Sequence, residues 1–152
     1  MLATTVLSEA LATLLSTNVA TLNPAGGAEV KLVLLAADFV EDPTLILMSS
    51  LTEATFDGYA AKASGAGAPP VNVDPLTGEQ IITIKEPAGG WHFACTGVTG
   101  LPQQIFGYAV VDQSKTNVYA LKRFDDPITI AAVGHFVEVG AVTLRFVTQP
   151  IS

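Results

Sequence analysis

The sequence predicts a single, mostly β domain: an antiparallel β-sandwich or barrel preceded by one short N-terminal helix. About seven short segments after residue 28 have the apolar spacing of strands, and turn-forming residues separate them. The length of 152 residues suits one domain that buries its own core. Helical spacing occurs near the start of the chain, so the predicted organisation is a helical arm at residues 1–22 and a β-sandwich at residues 28–152.

The N-terminal arm carries a stripe of leucines at helical spacing. It consists of Leu7, Leu11, Leu14 and Leu15. Their positions are i, i+4, i+7 and i+8, which lie on one face of a helix. Thr5 or Ser8 is suited to cap the start of this helix, and residues 23–27 (Asn-Pro-Ala-Gly-Gly) interrupt regular structure after it. The stripe faces either the core of the protein or a neighbouring subunit.

The middle of the chain contains two strand patterns with a loop between them. Residues 30–40 form a near-continuous apolar run, as in a strand that is buried on both faces. Ile82 and Ile84 alternate with polar residues, as in a half-buried strand. The intervening residues 64–74 are rich in Gly, Ala and Pro and predict a loop. This loop contains Pro69, Pro70 and Val71.

The C-terminal half is a series of short strand patterns. At residues 91–95, alternation places Trp91, Phe93 and Cys95 on one face and His92 on the other. Further strands are predicted at residues 105–111, 118–124, 128–131, 136–139 and 142–147, with a hairpin loop at residues 112–117.

The alternation within these strands also predicts the core. Its expected members are Val33, Leu35, Phe39, Ile82, Ile84, Trp91, Phe93, Phe106, Tyr108, Val110, Leu121, Ile130, Leu144 and Phe146.

The composition indicates a surface with few charges. Charged residues make up 14% of the chain, against roughly 25% in an ordinary soluble domain. Hydrophobic residues make up 49%, and the mean hydropathy is +0.47. The surface-area scaling law leaves about 350 Å² of surface for each charge. Such a surface favours contacts with other chains, and the alternative is a monomer coated with Thr, Ser, Asn and Gly.

Several classes of partner are not expected. The net charge of −7 and the scattered Lys and Arg residues argue against direct binding of nucleic acid. Residues 32–40, the longest near-apolar stretch, are far short of the roughly 20 residues of a membrane span and include Asp38. The first basic residue is Lys31, so a signal peptide is not expected either.

No catalytic, cofactor or metal site is expected. His92 and Cys95 resemble a metal-ligand pair, but their odd spacing on a strand places them on opposite faces. Neither a G-x-S-x-G elbow nor a phosphate-binding loop is present. The acidic pairs at residues 41–42 and 125–126 each precede a proline. We interpret them as turn residues, with acid–base catalysis or Ca²⁺ binding as the alternatives.

Two stretches resemble a known kind of protein. Residues 51–62 (LTEATFDGYAAK) resemble an L-T-E-A-x-F-x-G-Y-A segment of small structural proteins encoded among the head genes of tailed bacteriophages. Residues 107–112 form a G-Y-x-V-V-D strand, and the pattern V-G-x-x-V-x-V-G-x-V-T-L-x-F begins at Val133. The sequence departs from the resemblance at Gly134-His135, where those proteins carry Gly-Asp.

The resemblance implies a virion component on the outside of the capsid, a decoration or cement protein made in the host cytoplasm. Its expected partners are the major capsid protein and further copies of itself, with a homotrimer as the expected state. The candidate contact residues are those of the leucine stripe and of the 64–74 loop. The alternatives are a tail or receptor-binding component, for which Trp91 and Tyr108 would supply an aromatic platform, and an unrecognised enzyme.

Overall fold

A computed structural model describes residues 6–7, 30–42, 47–65, 71–73, 76 and 79–147. The described strands are β1 (Val6–Leu7), β2 (Lys31–Leu35), β3 (Lys62–Ala63), β4 (Val71–Val73), β5 (Glu79–Thr83), β6 (Trp91–Ala94), β7 (Gln103–Val111), β8 (Val118–Ile130), β9 (Phe136–Val139) and β10 (Thr143–Val147). A turn of 3₁₀ helix occupies Met48–Ser50.

The strands form three antiparallel sheets, which confirms the predicted mostly β fold. A five-stranded sheet has the order β1-β8-β7-β2-β3, a three-stranded sheet β10-β5-β4, and a two-stranded sheet β6-β9. Within the described ranges these sheets are open, so the barrel alternative is wrong.

Strand β2 lies inside the five-stranded sheet and is buried on both faces, as the first half of the apolar run predicts; residues 36–40 form no strand, and Val40 is exposed. Leu32 and Leu34 belong to a core that also contains Trp91 and Phe93 of β6. Val33 and Leu35 point to the opposite face, where Met48 and residues of β7 and β8 form a second core. A strand between two cores needs apolar side chains at successive positions, which explains the continuous run.

Most of the predicted core residues with described side chains are buried. These are Val33, Leu35, Ile84, Trp91, Phe93, Tyr108, Val110, Leu121 and Ile130. Phe39 is half-buried and packs against the second core. The side chains of Ile82, Leu144 and Phe146 lie outside the described part of the molecule.

The prediction for Phe106 is wrong, because an irregularity interrupts the pairing of β7 with β8. Ile105 pairs with Ile128, whereas Gly107 pairs with Arg123. Residues 124–127 therefore oppose Phe106 alone, and the alternation of faces is broken there. Ile105 is fully buried and Phe106 only half-buried.

The same irregularity corrects the interpretation of the acidic pair at residues 125–126. The two strands predicted at 118–124 and 128–131 are one strand, β8. Asp125 and Asp126 are exposed within this strand and do not form a turn at its end. Pro127, which lacks an N–H, is tolerated because the ladder is already interrupted there.

The helix prediction fails at its first leucine. Val6 and Leu7 form strand β1 and pair with Leu121 and Ala120 of β8. Helical spacing is a local signal, and pairing with a sheet edge overrides it here. The rest of the stripe, Leu11, Leu14 and Leu15, lies outside the described residues.

The predicted 64–74 loop is interrupted by a strand. Residues 71–73 form β4, in which Val71 pairs with Ile82 and Val73 pairs with Gln80 of β5. The Val-Asn-Val sequence has the β-branched alternation of a strand, and the neighbouring prolines obscured it. Pro69 and Pro70 lie outside the described residues.

Candidate interaction surface

The first of the two resembling segments, residues 51–62, contributes to a polar network. The hydroxyl of Tyr59 donates to Glu53 Oε1 at 2.8 Å and accepts the backbone N–H of Leu34 at 3.1 Å. Lys115 Nζ lies 3.1 Å from Glu53 Oε2, which ties the hairpin between β7 and β8 to the same carboxylate. Burial, reinforced by the nearby Glu53 carboxylate, raises the pKa of Tyr59 far above its ordinary value.

The next residues of the segment are held by a side chain of β7. Gln103 Oε1 accepts the backbone N–H groups of Thr55 and Phe56 at 3.0 and 3.2 Å, and Gln103 Nε2 donates to Thr55 Oγ1 at 3.0 Å. The ring of Phe56 is almost fully buried in the core shared with β6. Although residues 54–59 form no regular strand, their backbone is thus hydrogen-bonded and anchored.

Asp57 and Gly58 join the segment to the chain that follows β6. The Asp57 carbonyl accepts the N–H of Thr96 at 2.9 Å, and Asp57 Oδ2 accepts the N–H of Thr99 at 3.0 Å. Gly58 has a φ of +87°, and a Cβ there would lie 2.6 Å from Thr96 Oγ1. We name residues 53–59 the clasp, because they connect β2, β6 and β7. The distinctive residues of the resemblance therefore have scaffold roles.

The G-Y-x-V-V-D stretch is also structural. A Cβ at Gly107 would lie 2.7 Å from Phe39 Cζ, so the ring of Phe39 packs directly on the backbone of β7. Asp112, at the end of the stretch, accepts the N–H groups of Thr116 and Asn117 at 2.7 and 3.1 Å. Burial opposes ionisation of Asp112, but these hydrogen bonds prevail and hold the pKa of its carboxyl below the ordinary value.

Large apolar side chains are exposed at one end of the β6–β9 ladder. Val98 is 74% exposed, Val133 56% and Phe136 50%. Ala94 pairs with Phe136, and Cys95 exchanges hydrogen bonds with His135 and Gly134. The turns that carry Val98 and Val133 thus leave the same end of the ladder. We name Val98, Val133 and Phe136 the apolar end.

Reasoning from the sequence missed the apolar end, although a signal was present. Val98 lies between Gly97 and Gly100, and Val133 directly precedes Gly134, which has a φ of +90°. An apolar residue inside a glycine-containing turn is exposed more often than one inside a strand, because loops run over the protein surface.

A groove lies along the other side of β6. One wall includes Gly58, Ala61 and Lys62, and the other includes His92, Ala94 and Thr96. Its volume is about 340 Å³. We name it the β6 groove.

The residues considered for chemistry do not form a shared site in the described structure. His92 and Cys95 point to opposite faces, as predicted: His92 contacts the exposed ring of Phe136, whereas Cys95 is buried and donates to the Gly97 carbonyl. Within the described ranges, no three His, Cys, Asp or Glu side chains are grouped closely enough to hold a metal ion. Trp91 is buried and Tyr108 is nearly so, and neither offers an aromatic platform.

The acidic pair at residues 41–42 contributes to a surface network. Glu41 Oε1 accepts the backbone N–H of Arg123 at 2.6 Å. The Arg123 side chain donates to both carboxylate oxygens of Asp38, at 2.7 and 3.1 Å. These hydrogen bonds hold the pKa of Asp38 below its ordinary value. Glu41 is thus engaged in fastening residues 38–41 to β8.

The comparisons leave the family open. No family model, no curated protein and no solved structure matches this chain. No helix among the described residues is both long enough and apolar enough to cross a membrane.

Proposed function

We propose that this chain is a capsid decoration protein, which binds the outside of a tailed-bacteriophage head through the major capsid protein and stabilises the shell. The observation that carries the proposal is the apolar end: Val98, Val133 and Phe136 are all at least half exposed at one end of a single β-ladder. The resemblance of residues 51–62 to head-associated proteins supplies the identity of the shell.

The apolar end has the properties of a contact surface. Phe136 belongs to the β6–β9 ladder, and Val98 and Val133 lie in the turns that leave it; the inner face of this ladder, including Phe93 and Val137, is buried in the core. Such a surface loses little conformational freedom on binding, because the backbone beneath it is already ordered. Apolar burial contributes about 25 cal/mol per Å² and stabilises a contact without ion pairs, which suits a chain with few charges.

The clasp supports the proposal in a second way. Glu53, Phe56 and Tyr59 recur in the resembling segment, and here they hold two sheets together. A protein that reinforces a shell needs a rigid scaffold, and residues that build the scaffold are those that such proteins would share. The acidic net charge of −7 also disfavours contact with packaged DNA, as an outer location requires.

We further propose that the protein assembles as a homotrimer. Trimers match the positions on an icosahedral shell where three capsid subunits meet, and matched symmetry lets each protomer repeat one contact. The leucine stripe and the 64–74 loop remain the candidate elements for contact between protomers, while the apolar end faces the shell.

The test is binding to shells of the major capsid protein that we expect a neighbouring gene to encode. Shells are purified without this chain, mixed with it, sedimented and imaged by electron microscopy. We expect stoichiometric binding on the outer surface. Val133→Asp should reduce the binding at least tenfold, because the carboxylate would have to be desolvated in an apolar contact. The matched control is Val40→Asp, since Val40 is 78% exposed on a different part of the molecule.

Two results would contradict the proposal. One is the absence of this chain from sedimented shells at any concentration tested. The other is equal loss of binding in Val133→Asp and Val40→Asp, which would exclude the apolar end as the contact. A tail or receptor-binding role would use Trp91 and Tyr108, and their burial leaves that role without a supporting observation.

A further inference from the structure

The two edges of strand β6 differ in what they pair with. The N–H of Cys95 donates to the His135 carbonyl at 2.8 Å, so the backbone of Cys95 faces β9. In an antiparallel pair, alternate residues turn their N–H and C=O groups to the same side. Phe93 and Trp91 therefore bond to β9, whereas the backbone groups of Ala94 and His92 point to the other edge, where the β6 groove lies.

The clasp closes one end of this edge and leaves the other end open. The N–H of Thr96 already donates to the Asp57 carbonyl. A Cβ at Gly58 would lie 2.8 Å from the Ala94 carbonyl oxygen, so the backbone of the clasp also covers that oxygen. After Gly58, the β6 groove lies between residues 60–62 and β6. Among the described residues, none pairs with the groove-side backbone groups of His92.

The β6 groove has a lining that suits an added strand. Apart from Lys62, the wall opposite His92 consists of the small residues Gly58, Ala60 and Ala61, which take up little of the groove. The volume of about 340 Å³ is open to solvent along the edge of β6. An unpaired sheet edge is a template for an extended peptide, whose backbone supplies hydrogen bonds along the strand.

The charge of the groove is opposite to the charge of the protein. Lys62 is a wall residue, and its Nζ lies 5.6 Å from the centre of the Phe93 ring. No Asp or Glu lines this groove, although the chain carries a net charge of −7. Lys62 makes no ion pair with a described carboxylate. An extended segment with a carboxylate near Lys62 would complement this wall.

We propose that the β6 groove binds an extended, acidic segment of another protein chain, which adds as a strand to the edge of β6 beside His92 and places a carboxylate next to Lys62. The inference goes beyond the capsid proposal and does not depend on it, because it rests on the edge, the small-residue wall and the charge. Phe136 of the apolar end contacts His92 of the groove wall, so the two surfaces adjoin at that ring. Val133 and Lys62 each belong to one surface alone, and substitutions at these two positions test the surfaces separately.

The experiment uses the full-length chain and a capped synthetic peptide of sequence TVEVT, with TVKVT as its matched control. Binding is followed by two-dimensional ¹H–¹⁵N NMR at peptide concentrations up to millimolar. We expect TVEVT to shift the amides of His92 and Ala94, and to bind at least fivefold more tightly than TVKVT. Methylating the central peptide nitrogen should weaken binding by roughly fivefold, because one net hydrogen bond of about 1 kcal/mol is lost.

A charge reversal tests the role of Lys62 directly. Lys62→Glu should abolish the preference for TVEVT over TVKVT, whereas Lys122→Glu, a half-exposed lysine on β8, should leave it unchanged. Three results would overturn the proposal: no binding by either peptide, equal binding of the two by the unaltered protein, or amide shifts that lie outside the β6 groove. A Val133→Asp protein that no longer binds shells but still binds TVEVT normally would show that the two proposals concern different surfaces.

Discussion

The hydroxyl of Tyr59 lies 2.8 Å from a carboxylate oxygen of Glu53 and, through the same oxygen atom, accepts the backbone N–H of Leu34. One side chain thus satisfies a donor on the interior strand β2 and an acceptor on the clasp. The relationship explains how a segment without regular structure is held against a sheet. Glu53 and Tyr59 act as a pair, because the Tyr59 hydroxyl connects the Glu53 carboxylate to the backbone of β2.

Tyr59→Phe should lower the free energy of unfolding by about 1–3 kcal/mol, because the Leu34 N–H and the Glu53 carboxylate both lose a buried partner. The measurement is urea denaturation followed by fluorescence. Tyr119→Phe is the matched control: Tyr119 is half-buried, and its hydroxyl makes no hydrogen bond to a described residue. We expect a change below about 0.5 kcal/mol there. Equal decreases in the free energy of unfolding of the two variants would show that the hydrogen bonds of the Tyr59 hydroxyl do not stabilise the protein.

Phe93→Ala should cost about 3–5 kcal/mol, because Phe93 is 2% exposed in the core shared by β2 and β6. Phe136, on the paired strand, is 50% exposed, and Phe136→Ala should cost about 1 kcal/mol or less. Chemical denaturation of both variants checks the register of the β6–β9 ladder. A loss below about 1 kcal/mol at Phe93 would show that the register is wrong.

Gly58→Ala should destabilise the protein by about 1–3 kcal/mol. Its φ of +87° disfavours any side chain, and the added Cβ would press on Thr96 and the Ala94 carbonyl. Gly140→Ala is the control, since a Cβ at Gly140 meets nothing within 4 Å and its φ is not positive. That substitution should be neutral or slightly stabilising. Thermal denaturation of the two variants compares them, and a tolerated Gly58→Ala would contradict the close approach of the clasp to β6.

Asp112 should make stability depend on pH in the acidic range. Its pKa is lowered in the folded protein, so the ionised form is favoured by folding. The contribution is therefore fully present above the ordinary carboxyl pKa of about 3.9 and is lost as the pH falls through the lower, folded value. The difference in unfolding free energy between the unaltered protein and Asp112→Ala should shrink over that interval. If this difference in unfolding free energy stays constant from pH 6 to pH 2, the ionised Asp112 carboxylate does not stabilise the hairpin.

Deleting residues 1–22 should weaken oligomerisation or shell binding while a folded β domain remains. The deletion removes β1, whose two described residues pair with Leu121 and Ala120 of β8, and does not touch the residues that pair β2, β7 and β8. Analytical ultracentrifugation should show a trimer for the full chain, persisting at raised salt because apolar contact rather than ion pairing holds it. Circular dichroism of the shortened chain checks that it is folded. A full chain that remains monomeric at high concentration would contradict the proposed assembly.

The sequence alone determined those features that depend on neighbouring positions. The apolar run at residues 30–40 predicted a strand buried on both faces, which the structure forms at Lys31–Leu35 and not at residues 36–40. Alternation placed Trp91, Phe93 and Cys95 together in the core. The hairpin loop at residues 112–117 was also readable, because turn residues act through their own backbone.

The tertiary structure alone decided the features that depend on distant partners. Phe106 leaves the core because β7 and β8 change register, and Leu7 lies in a strand because β8 offers an edge. The clasp depends on Gln103, which is 48 positions away from Thr55, and the β6 groove exists because the chain beyond Gly58 diverges from β6. Periodicity reports which way a side chain points along its own segment. It carries no information on which segment lies opposite, and hydrogen bonds between remote segments settle that.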